Sequence, residues 1–130
     1  MNRFRFRLFY VNKNVSLKVI LKRSNSNVFV TVSGLKDRSF KVFSSGSLGF
    51  SNSKKDTPYA AEAVGKFAAR YILLKKNNIV SIVLNSPLDG RLRAVLRGIS
   101  SFSSLLRVVS VRSKFSPAHN GCRPKKTRRV

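Results

Sequence analysis

The chain has 130 residues, of which 42% are hydrophobic, enough for one domain around one modest core and too apolar for a disordered basic tail. Twenty-seven Lys and Arg face four acids, giving a formal net charge of +23. Surface ion pairs cannot neutralise that excess, so it points to a polyanion: nucleic acid first, an anionic membrane second.

The same inventory argues against several kinds of chemistry. The four acids, Asp37, Asp56, Glu62 and Asp89, are scattered without the spacing of a metal-binding or acid–base pair. His119 and Cys122 are the only imidazole and the only thiol, both in a basic neighbourhood, so no metal, no catalytic dyad and no internal disulfide are expected. There is no Walker Gly-Lys-Ser/Thr and no three-glycine dinucleotide fingerprint, so no cofactor is expected either. No stretch approaches the roughly 20 apolar residues that span a bilayer. The reading is a binding protein and not an enzyme.

Residues 1–14 form a basic and aromatic arm in which Arg3, Phe4, Arg5, Phe6 and Arg7 alternate. A period of two fits an extended arm that touches RNA better than an amphipathic targeting helix. The domain is expected over residues 15–111. Residues 15–22 put Val15, Leu17, Val19 and Leu21 on one face, which predicts a half-buried strand. Residues 27–33 are rich in β-branched side chains and residues 39–43 give a third strand, the three joined by short turns as an antiparallel meander.

Residues 44–55 are a loop dense in Ser, Gly and Lys, whose backbone N–H groups and Lys54 and Lys55 suit an anion. Thr57 as N-cap and Pro58 at the first helical position open a helix that runs to Leu74. Ala60, Val64, Phe67, Ala68, Tyr71 and Ile72 recur at the spacing of one buried face. Residues 79–84 are nearly all apolar and read as a buried parallel strand. A second helix over about 91–99 has Leu92, Val95, Leu96 and Ile99 as its apolar stripe and Arg91, Arg93 and Arg97 as a basic flank. Residues 105–111 give a fifth strand. The order βββαβαβ predicts an α/β fold: a mixed five-stranded sheet with helices packed on it.

Residues 112–130 form an extended tail with no apolar periodicity and five cations after Cys122: Arg123, Lys125, Lys126, Arg128 and Arg129. Prolines keep such a segment extended, and Arg can clasp phosphate with two parallel hydrogen bonds. Several basic runs in a chain this poor in acids favour an RNA-binding surface over a merely solvated one.

His119-Asn120-Gly121-Cys122-Arg123-Pro124, followed by the basic run to Val130, resembles the terminal signature of the small-ribosomal-subunit protein eleven family of universal type. Asn27 to Ser33, Gly46 to Phe50, Lys54-Lys55-Asp56-Thr57-Pro58-Tyr59-Ala60-Ala61 and Pro87 to Arg91 agree with it in order and spacing. The resemblance implies a ribonuclease-H-like topology without that enzyme's carboxylates, and a structural role on the platform of the small subunit. It implies contact with the rRNA of the central domain, beside the exit path of mRNA and next to platform proteins six, seven and eighteen. It places RNA contacts on Lys54, Lys55, Arg91 and the tail, including His119 and Asn120. The resemblance also makes Asn120 a candidate for isoaspartate, since Gly121 offers no steric block to the succinimide that precedes it.

Departures from the family pattern are local. Ser86-Pro87-Leu88-Asp89-Gly90-Arg91 stands where the family has Gly-Pro-Gly-x-Gly-Arg, which removes two glycines and adds an acid. Ser51-Asn52 replaces a usual Lys-Gly. Abundant Phe, Ser, Asn, Lys, Ile and Leu, with no cleavable presequence, point to an AT-rich organelle genome and a mitochondrial ribosome, ahead of a plastid or a bacterial cytoplasm. The alternative from another class is a free nucleic-acid-binding or nucleoid protein.

Overall fold

Alternating residues become the pleat of a sheet. In the computed structural model, which describes residues 16–36, 38–115, 117 and 119–129, β1 (Leu17–Arg23) buries Leu17, Val19 and Leu21, and β2 (Val28–Gly34) buries Val28, Val30 and Val32. They pair antiparallel with Val19 opposite Val32, so both apolar sets share one face. β3 (Phe40–Ser44) pairs antiparallel with β2, completing the meander. The arm expected over residues 1–14 lies outside the described residues.

α1 (Pro58–Leu74) starts as expected: the Ala60 N–H donates to the Thr57 hydroxyl oxygen at 3.3 Å and Pro58 sits in the first turn. β4 (Ile79–Leu84) then pairs parallel with β1. α2 (Gly90–Ser100) leads to β5 (Arg107–Ser113), parallel to β4. The strand order is β3-β2-β1-β4-β5: the mixed α/β sheet expected from the element order, with the ribonuclease-H-like topology that the family resemblance implies. Both crossovers step the same way along the sheet, so right-handed connections put α1 and α2 on one face. There Val64, Ala68, Ile72, Leu92, Val95 and Ile99 close over the buried rows of β1, β2 and β4 in a single core. Each of the Val, Leu and Ile side chains contributes about 1.5–3 kcal/mol by leaving water.

Three details differ from the sequence reading. The buried stripe of α1 includes Ala61, Gly65 and Ala69 and omits Phe67, which is 46% exposed with the Arg70 guanidinium 5.7 Å from its ring centre. The stripe turns because α1 packs against α2 as well as the sheet, and small residues line that flank. Tyr71 is half-buried, edge-on to Phe43 of β3 at 5.5 Å. β5 begins two residues later than expected: Leu106 is a buried plug before the strand, and the Arg107 N–H donates to the Asn78 carbonyl. Val108 lies opposite Val80; a bulge between Val80 and Ser81 then shifts the register by one residue, setting Ser110 opposite Ser81 and Val111 opposite Ile82.

Candidate nucleic-acid interface

Because β1, β4 and β5 are parallel and β3 runs with them, all four carboxyl ends lie at one end of the sheet. The turn 24–27, the loop 45–57, the loop 85–89 and the tail all leave from that end. Open α/β sheets bind ligands there. The Lys114 N–H donates to the Leu84 carbonyl at 2.8 Å, carrying the ladder one residue past β5 and fixing where the tail departs. Lys54, Lys55, Arg91 and the root of the tail are thereby brought to the same end of the molecule.

An ionic cluster ties these loops together. Asp89 caps α2, its Oδ1 accepting from the Leu92 N–H at 3.0 Å, and its Oδ2 lies 3.0 Å from Nη1 of Arg23 and 3.5 Å from Nε of Arg91. Arg91 also pairs with Asp56 and donates from Nη1 to the Asn25 carbonyl at 3.2 Å. Ser86 adds a second tie: its Oγ accepts from the Arg23 N–H at 3.1 Å and donates to the Arg23 carbonyl. Burial first, and the neighbouring Arg23 charge second, pull Arg91 down from its ordinary value, yet a guanidinium stays protonated in a folded protein. Two arginines and two aspartates thus form a locally neutral clasp. The contacts seen on Arg91 use Nε and Nη1, and its side chain is only 14% exposed.

The Ser/Gly loop is more ordered than its composition suggests. It forms two 3-10 turns, Gly46–Leu48 and Asn52–Asp56. The N–H groups of Gly49, Phe50, Lys54 and Thr57 donate to loop carbonyls, that of Ser47 to the Ser44 Oγ, and that of Ser45 to the Asn27 Oδ1. These six N–H groups are satisfied within the protein, which leaves less of the loop backbone for an anion and puts more weight on side chains. Lys54 is exposed; Lys55 is partly covered, its stem near Gly46. Thr57 braces the second turn by donating from Oγ1 to the Lys54 carbonyl at 2.8 Å.

Arg93 and Arg97 are exposed on α2. Arg97 acts on Glu62 of α1, whose carboxyl is held below its ordinary value mainly by the Lys66 ammonium at 2.8 Å. Along the tail, His119, Asn120, Arg123, Lys125, Lys126, Arg128 and Arg129 are all exposed. The left-handed backbone in the signature falls on Asn120 (φ 43°), and a short polar side chain tolerates that region better than most.

Sequence reasoning missed Arg23 and Asn25, because their partners lie more than 60 residues away. It also missed a second basic end: Lys36, Arg38, Lys75, Lys76 and Arg107 are exposed where β1, β4 and β5 begin. Among the described residues, no three His, Cys, Asp or Glu form a metal-holding group, and no helix is long and apolar enough to cross a membrane.

Comparison with known proteins decides the family. The model of the family described as ribosomal protein S11 matches residues 18–129. The chain belongs to the ribosomal protein S11 family. The small ribosomal subunit protein uS11 of Borreliella burgdorferi (strain ZS7) is 37% identical over 113 residues, covering 86% of this chain and 84% of its own. The uS11 protein of Treponema pallidum (strain Nichols) is 36% identical over 112 residues, covering 86% of each. The S11 family is one of ribosomal proteins and not of enzymes, and its model covers the sheet, both helices and nearly all of the basic tail.

Proposed function

We propose that this chain is a structural constituent of the small ribosomal subunit that binds the rRNA of the platform, near the exit path of mRNA and beside neighbouring platform proteins. The observation that carries this is convergence: in a ribosomal-protein fold, the loop bearing Lys54 and Lys55, the start of α2 and the root of the basic tail share one end of the sheet. Lys54, Lys55, Arg93, Arg97, Arg123, Lys125, Lys126, Arg128 and Arg129 supply phosphate contacts, and His119 and Asn120 add polar contacts along the tail. Arg91 contributes by holding the Asn52–Asp56 turn against α2 and by whatever of its guanidinium still faces outward.

Composition supports an organellar ribosome, in a mitochondrion before a plastid; the relatives named above are bacterial. RNA–protein crosslinking in the intact particle, read by mass spectrometry, tests the reading. Crosslinks from residues 54–55, 93–97 and 119–129 to platform rRNA support it. Crosslinks confined to another region of the rRNA contradict the platform site.

A further inference from the structure

Tyr59 is 76% exposed in the first turn of α1. It is not loose. Its ring lies edge-to-face with Phe50 at a centroid distance of 6.1 Å and an interplanar angle of 83°. Both rings stand on hydrogen-bonded backbone: the Phe50 N–H donates to the carbonyl of the buried Ser45, and Thr57 caps the turn that carries Tyr59. In an edge-to-face pair at most one face of either ring is covered by the other. At least one face of Tyr59 is therefore clear of Phe50 and open to solvent.

The segment between the two rings is basic and polar. It carries Asn52, Ser53 and Lys54, all exposed, and Lys55. Its acid, Asp56, pairs with Arg91, so the local field stays positive. A fixed aromatic face five residues along the chain from the exposed Lys54 suits one ligand class above others: an unpaired nucleobase whose own phosphate is taken by lysine. A paired helix offers no open base face to it.

We infer that Tyr59, braced by Phe50, is a stacking platform for one unpaired nucleobase of RNA, with the adjoining phosphate taken by Lys54. The inference rests on the RNA-binding reading above and adds to it a single-stranded element at a stated position. Stacking and phosphate contact are separable, because stacking is insensitive to charge whereas phosphate contact follows salt.

The test measures binding of the full chain to a labelled oligoadenylate and to an abasic ribose-phosphate strand of equal length and charge. Tyr59→Leu keeps an apolar side chain at an exposed position, and thermal melting confirms that it folds. It should weaken oligoadenylate binding about 10-fold, the scale of one base–aromatic stack, leave abasic-strand binding unchanged, and be rescued by Tyr59→Phe. Lys54→Gln should weaken both strands. Equal loss on both strands for Tyr59→Leu, or loss on neither, overturns the stacking site while the Lys54 result leaves phosphate binding standing. No binding of the wild-type chain to either strand overturns both readings.

Discussion

Gly65 and Gly98 face each other where α1 crosses α2, with helix backbone against helix backbone. A Cβ on Gly65 would lie 2.4 Å from the Val95 carbonyl oxygen, and one on Gly98 would lie 2.4 Å from that of Glu62. Neither neighbour is a flexible side chain that can swing away. The crossing sets how α2 sits on the sheet, and hence where Arg93, Arg97 and the Asp89–Arg91 clasp are held.

Alanine in place of glycine ordinarily stabilises a helix, by about 1 kcal/mol. Here the sign reverses. Gly98→Ala is expected to destabilise the domain by about 3 kcal/mol, the upper range for overpacking, because backbone must move to admit the methyl. Urea unfolding measures it, and a variant as stable as the wild type would show that the helices separate at little cost.

Asp89 both caps α2 and joins the ionic clasp, and two substitutions separate the roles. Asp89→Ala removes both and is expected to cost about 1–2 kcal/mol. Asp89→Asn keeps a good capping group and loses only the charge, so it should cost less than Asp89→Ala, and what it does cost belongs to the half-buried pairs with Arg23 and Arg91. Equal losses in denaturant unfolding would move the stabilisation from the cap to the ion pairs.

Glu62 supplies a pH dependence. The Lys66 hydrogen bond and charge, with Arg97 behind them, hold its carboxyl below the ordinary 4.5. A depressed folded value means that the stabilisation is present above pH 4.5 and is lost as pH falls through the lower folded value. The melting-temperature advantage of the wild type over Glu62→Gln should therefore hold at neutral pH and shrink on acidification below 4.5. An advantage that grows on acidification would contradict the pairing.

Deleting residues 117–130 leaves β5, the Lys114–Leu84 hydrogen bond and the core intact. The melting temperature should not change. RNA affinity should fall, and the slope of log affinity against log salt should flatten by about 4, the contribution of five cations. An unchanged slope would mean that the tail does not lie on phosphate.

Where contacts are local, the sequence was legible. Thr57-Pro58 marked the start of α1, alternation marked β1, β-branched side chains marked β2, and the apolar run 79–84 marked β4 to the residue. The tail signature carried the family, since a short motif of Gly, Cys and Pro in fixed order is far less common than a basic run. What stayed hidden depends on pairs distant in sequence. Phe67 fits the helical period yet lies outside, because the small flank of Gly65 and Ala69 turns toward α2. Arg91 reads as a free cation until the fold brings Asp56 to it from 35 positions away. Tyr59 looked like the second residue of a helix, and only its exposure and the ring of Phe50 reveal a surface aromatic.

Membership of a ribosomal particle is tested by sedimentation of the tagged chain from lysed cells or organelles through a gradient after a high-salt wash. A generic phosphate binder is stripped as salt rises, whereas a protein held by many fixed contacts in an assembled particle remains. The chain should stay with small-subunit rRNA after the wash. Recovery only in the soluble or DNA-bound fraction would contradict it.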